Sequence, residues 1–99
     1  MKVIESKIEQ LRTICANHNV ESMYVFGSAA KDELRKDSDI DFLVRFKKID
    51  LSKYFENYIE LKSKLKSLFG REVDLVEEQA LRNPILIKSI DRNKELIYG

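Results

Sequence analysis

Residues 24–44 read YVFGSAAKDELRKDSDIDFLV, and the fold turns on how the two ends of this stretch behave. At its downstream end, Ile40, Phe42 and Val44 alternate with Asp39, Asp41 and Leu43. Successive side chains of a β-strand point to opposite faces, so this period of two predicts a strand with one wholly apolar face and an opposite face carrying two carboxylates. At the upstream end, Met23-Tyr24-Val25-Phe26 is an aromatic and β-branched run that stops at Gly27, the pattern of a buried strand. Between the two, Ala29 and Ala30 favour a short helix from Ser28 to about Leu34 with Ser28 as its cap, and Lys36-Asp37-Ser38 reads as a turn.

Working outward, apolar residues at Ile4, Ile8, Leu11 and Ile14/Cys15 predict an amphipathic helix from Val3 to about Asn17, ended by His18-Asn19. Downstream, Leu51, Phe55, Tyr58, Leu61, Leu65 and Leu68/Phe69 recur at helical spacing and predict the longest element, its stripe packed in the core. Asp50 or Ser52 would cap it and Gly70 would stop it. Glu72 to Glu77, with apolar residues around Asp74, predicts a third strand, and Asn83-Pro84 opens a last short helix containing Ile85, Leu86, Ile87 and Ile90. The expected fold is α/β (α+β): one domain over residues 1–99, with a small mixed sheet of three to four strands. Helices pack on one face of that sheet, and the carboxylates lie on the other side near its edge.

Ninety-nine residues suffice for one core and are too few for two. Eighteen basic and 17 acidic residues leave a net charge of +1, so no general attraction to nucleic acid or to an anionic membrane is expected. One cysteine, Cys15, and one histidine, His18, offer neither a disulfide nor a zinc site. Charges every few residues from Met1 onward do not fit a signal peptide, and no apolar run approaches a membrane span. A cytoplasmic setting is expected.

The chemistry lies in the carboxylates. Two residues apart on one strand, Asp39 and Asp41 project side by side with Cα atoms about 6.6 Å apart. Like charges at that spacing repel, and a divalent cation relieves them. Hard oxygen ligands completed by water and phosphate are the usual surroundings of magnesium. Upstream, Gly27-Ser28 ends a strand and leads into the short helix, where the glycine lets a phosphate approach the backbone and the helix N-terminus offers free N–H groups and a positive dipole end. A calcium loop beginning at Asp37 is excluded, because its sixth position is Phe42 rather than Gly and its twelfth is Lys48 rather than Glu. An ion pair with Arg71 or a lysine is the plainer reading of Asp74.

Gly27-Ser28, ten residues, then Asp39-Ile40-Asp41 resembles the signature of the minimal nucleotidyltransferase domains of the DNA polymerase beta-like superfamily. REVDLVEEQALRNPILIKSI, residues 71–90, is similar to a second block of the same family, so the resemblance covers nearly the whole chain. It implies a polymerase beta-like palm fold, ATP as substrate and two Mg2+ ions. It also implies catalytic and metal-binding roles for Asp39, Asp41 and Asp74, and nucleotide contacts from Gly27, Ser28, Lys31 and Ser38. The sequence departs from the family at Lys31-Asp32, where relatives often carry Arg-Gly, and a lysine lacks the bidentate fork of arginine. The resemblance further implies an antitoxin that transfers AMP to a tyrosine of a HEPN-domain ribonuclease toxin. Two alternatives stand beside it: neutralisation of that toxin by binding alone, and nucleotidyl transfer to a small molecule.

Overall fold

The computed structural model describes residues 2–31, 35 and 38–99. Its elements in order are α1 (Lys2–Glu5), α2 (Ile8–Asn17), β1 (Val20–Phe26), β2 (Ile40–Phe46), α3 (Leu51–Phe69), β3 (Val73–Glu77), α4 (Pro84–Asn93) and β4 (Glu95–Tyr98). A single 3-10 turn, Glu78–Ala80, links β3 to α4.

The four strands form one mixed sheet in the order β3-β2-β1-β4. β1 runs antiparallel to β2 and to β4, whereas β3 runs parallel to β2. A parallel neighbour requires a long crossover, and α3 supplies it. The alternation in β2 has the expected effect: Ile40, Phe42, Val44 and Phe46 enter a core shared with Leu11 and Cys15 of α2, Met23 and Val25 of β1, and Leu61 and Leu65 of α3. The expected mixed sheet with helices on one face is therefore present. α4 adds cover to part of the opposite face, over Leu43.

Local signals explain most of the element ends. Asn83 accepts from the N–H groups of Ile85 and Leu86 at 3.0 and 3.4 Å, and Pro84 fills the first turn, where an N–H has no partner to lose. Asp50 caps α3 through the N–H of Ser52 at 3.4 Å. Gly70, left-handed at φ 63°, ends α3 and donates to Lys66 O at 2.8 Å. Asn19 takes the same left-handed region at φ 59° and turns the chain from α2 into β1.

Four expectations need correction. The helix expected from Val3 to about Asn17 is broken between Glu5 and Ile8, so that α1 and α2 are separate; there the Ser6 hydroxyl donates to the Val3 carbonyl at 3.1 Å. The first strand begins at Val20 rather than Met23, and β4 was not anticipated. Within the stripe of α3, Leu61 and Leu65 are buried, but Leu51 is 85% exposed and Phe55 70%. In the first turns of this helix it is Tyr54 that faces the sheet, its ring 5.6 Å from that of Phe46. Residues 27–31 form a turn rather than a regular helix, with Lys31 N–H donating to Gly27 O at 3.3 Å. The rest of the helix expected up to Leu34, and Lys36 and Asp37 of the expected turn, lie outside the described residues.

Candidate functional site

The candidate carboxylates gather at one end of the sheet because of strand register. β2 presents Asp41 on the face opposite the core, directly beside Asp74 of the parallel strand β3, and opposite Phe26 at the end of the antiparallel strand β1. Side chains directly across a strand pair share a face, so Asp41 and Asp74 project together. Asp39, just before β2, is exposed, as is Asp74, while Asp41 is half-buried.

Asp41 carries the electrostatic strain of the site. Its carboxyl is held above the ordinary value of 3.8 by burial first, then by the negative charges of Asp74 and Asp39. Gly27 follows Phe26 directly, with φ 70°. A Cβ added there would collide with the Asp41 carboxylate oxygen Oδ2 and lie 3.3 Å from its Cγ. Glycine is therefore required twice at this position, once by its left-handed backbone and once by the carboxylate pressed against it. Ser28 is half-buried in the turn that follows, and Lys31 is exposed at the end of that turn.

The approach to Asp39 is braced by a residue that sequence reasoning gave another task. Arg71 lies between the glycine that ends α3 and the start of β3. Its guanidinium donates from Nη1 to the carbonyls of Arg35 and Ser38 at 2.8 and 3.0 Å. Ser38 also accepts from the Arg35 N–H at 3.1 Å, and Ile40 N–H donates to Glu72 O at 3.2 Å. Arg71 is thus committed to backbone carbonyls, and among the described residues no ion pair includes Asp74. The plainer reading of Asp74 finds no partner there. The available signal was an arginine immediately after a helix-stopping glycine, too common a pairing to single out in advance.

Tyrosines line the outer edge of β3. Tyr58 of α3 donates to the Leu75 carbonyl at 2.5 Å, and Tyr54 donates to the Glu77 carboxylate. Burial, then the charges of Asp74 and Glu77, push the Tyr58 phenol up. The Tyr58 hydroxyl thereby satisfies a carbonyl of that edge which would otherwise be unpaired. Cys15, by contrast, is buried and its thiol is pushed up to about 12 by that burial, so it takes no part in chemistry.

The donor set consists of carboxylate oxygens, which suits a hard divalent cation. Among the described residues, no group of three or more carboxylate, imidazole or thiol side chains stands arranged to hold a metal ion, so the structure does not bring Asp39, Asp41 and Asp74 together as a three-ligand site. Magnesium is commonly held by one or two carboxylates completed by water and substrate phosphates, so an open pair of this kind fits it.

The sequence profile of the family described as polymerase beta, nucleotidyltransferase matches residues 9–99. The chain belongs to that nucleotidyltransferase family. Among its relatives, a Thermococcus cleftensis protein named protein adenylyltransferase MntA is 35% identical over 99 residues, covering 92% of this chain and 94% of the relative. A Methanocaldococcus jannaschii protein named as a candidate protein adenylyltransferase is 43% identical over 82 residues, with 82% and 78% of the two chains covered. Of solved structures, one described as a candidate minimal nucleotidyltransferase superposes with a TM-score of 0.79 at 33% identity, covering 95% of this chain and 92% of that one. The fold also recurs, at a TM-score of 0.66 and 20% identity over 96% and 71% of the chains, in a complex of a tri-AMPylated Shewanella oneidensis HEPN toxin with its MNT antitoxin. The enzyme class and the fold expected from residues 24–44 are those of the family.

Proposed function

We propose that this chain is a magnesium-dependent protein adenylyltransferase that moves AMP from ATP onto a tyrosine hydroxyl of a HEPN-domain partner, and so acts as that toxin's antitoxin in the cytoplasm. The observation that carries the reading is the placement of Asp41: half-buried, beside Asp74, and pressed against the backbone of Gly27. A carboxylate so placed is unfavourable for the fold by itself and favourable once a cation shares it.

In this reading Asp39 and Asp41 hold the metal, Asp74 completes the set, and the turn from Gly27 through Ser28 to Lys31 receives the triphosphate, with Ser38 beside it. Bound magnesium would neutralise the phosphate oxygens and lower the pKa of the attacking hydroxyl. The acceptor oxygen forms a bond to the α-phosphorus as the bond from that phosphorus to the bridging oxygen of the β-phosphate breaks, and pyrophosphate leaves. Asp74 takes the proton of the hydroxyl. Arg71 positions Asp39 by tying the backbone at Arg35 and Ser38 to the start of β3. Names and structures of relatives support the acceptor: a protein adenylyltransferase shares 35% of its residues, and the fold recurs beside an AMP-modified HEPN toxin. The same reading takes residues 1–99 as one catalytic domain whose acceptor specificity comes from the partner's surface.

The test is label transfer from ATP, with magnesium, to a co-expressed HEPN partner. Transfer is expected to vanish when Asp39→Ala and Asp41→Ala are combined, and the toxin then to remain active. Full neutralisation of the toxin by that double variant would replace catalysis with binding alone. Pyrophosphate release driven by a small acceptor with no partner present would instead point to small-molecule modification.

A further inference from the structure

Helix α3 presents an apolar stripe that its own fold does not use. Leu61 and Leu65 face the core. Tyr54 and Tyr58, four residues apart, close the outer edge of β3 through the Glu77 carboxylate and the Leu75 carbonyl. Residues four apart share a helix face and residues three apart are neighbours on it, so Leu51, Phe55 and Ile59 form a further stripe, separated from Leu61 by the tyrosines. Its members are 85%, 70% and 51% exposed. A single exposed apolar side chain is ordinary, but three in line over about 12 Å of helix mark a contact surface.

We infer that the acceptor protein docks on this stripe, a deepening that rests on the adenylyl-transfer reading above. α3 and β3 run in opposite directions along the edge, with Tyr54 at Glu77, Tyr58 at Leu75 and Lys66 at Glu72. The stripe therefore runs toward the Asp74 end of the strand, and Ile59, next to Tyr58, is its member nearest that carboxylate. The Tyr58 phenol, pushed up by burial, also feels the negative charge of Asp74 across the edge. In the adenylyl-transfer reading Asp74 takes the proton of the attacking hydroxyl, and the triphosphate lies on the other side of Asp41, at the turn from Gly27 to Lys31. The acceptor then enters over the edge of β3, and a protein seated on the stripe presents its hydroxyl there. The stripe carries no charge of its own. Past Ile59 the same line continues to half-buried Lys62, and Lys66 beyond it pairs with Glu72 at 3.1 Å. The matching surface is an amphipathic helix with apolar residues every three to four positions and an acidic end over Lys62.

The test is label transfer from ATP to the HEPN-domain partner, with magnesium, at varied partner concentration. Phe55→Glu, at the centre of the stripe, is expected to raise KM for the partner about tenfold or more. KM for ATP, kcat at saturating partner and the melting curve are expected to stay as in wild type, and Phe55→Leu, which keeps the apolar surface, to behave as wild type throughout. Leu51→Glu, at the most exposed position, supplies the same comparison should Phe55→Glu melt lower. An unaltered partner KM in both glutamate variants, or an equal rise in KM for ATP, would overturn the surface. So would a wild-type chain that sediments as a dimer and becomes a monomer in Phe55→Glu with partner KM unaltered, since the stripe would then belong to a second copy. Calorimetric binding of the partner to the chain carrying Asp39→Ala and Asp41→Ala keeps the two readings apart. Binding that is lost on adding Phe55→Glu, with no transfer from any chain, sinks the enzyme alone; transfer with partner KM unaltered sinks the surface alone.

Discussion

The two faces of β2 are built from the same run of residues and obey opposite rules. One face, Ile40, Phe42, Val44 and Phe46, is closed over by α2 and α3 and gains by excluding water. The other places Asp41 where burial and two neighbouring carboxylates work against its charge. A strand can tolerate this because the apolar side supplies stability that the acidic side consumes. The candidate carboxylate of β2 is thereby held on strand backbone rather than on a loop.

The largest effect expected from perturbing this contrast is on the apolar side. Phe42→Ala should cost about 3–5 kcal/mol, since Phe42 is fully buried and packs 5.8 Å from the ring of Phe69. Urea unfolding monitored by circular dichroism would measure it, and a loss below about 1 kcal/mol would mean that this face is not the main source of stability. Next is Gly27→Ala, where a left-handed backbone and the Asp41 carboxylate both oppose a side chain. It should destabilise by about 1–3 kcal/mol and abolish label transfer; normal transfer would show that the close approach of turn and carboxylate is dispensable.

The smallest effect is on the acidic side and has the opposite sign. Because the Asp41 carboxyl is raised in the fold, the folded chain binds its proton more tightly than the unfolded chain does. The stability this contributes is complete below the ordinary value of 3.8 and is lost as pH rises through the folded pKa. Asp41→Asn removes that loss. In chelator-treated buffer the variant should melt above wild type at neutral pH and level with it at pH values under 3.8. Thermal melts across pH would show this, and a variant that melts lower at neutral pH would mean that Asp41 is held by partners that favour its charge.

The contrast between the two faces was legible in residues 40–44 because period-two alternation is a property of the strand alone. Caps and stops were legible for the same reason: Asn83-Pro84 and Gly70 act within a few residues of themselves. What escaped depends on residues distant in the chain. β4 is four residues long and is a strand only because Glu95, Leu96 and Tyr98 pair with β1. Leu51 and Phe55 keep the helical period of Leu61 and Leu65, but at this end of the helix Tyr54 is the residue turned to the sheet, against Phe46, and the two are left exposed. At the site, Asp39, Asp41 and Gly27 stood out by spacing. The contact between Gly27 and Asp41, the bracing by Arg71 and the cover of Leu43 by α4 emerge only when distant segments are folded together.

The lone thiol of this chain, 3.9 Å from the Met23 sulfur and wholly enclosed, has a practical corollary. A sulfur kept protonated and out of solvent ignores maleimides and iodoacetamides. The native chain therefore behaves toward such reagents as though it had no cysteine, and a single cysteine introduced on the surface beside the carboxylates would accept a dye cleanly, ready to test for nucleotide arrival as a change in fluorescence.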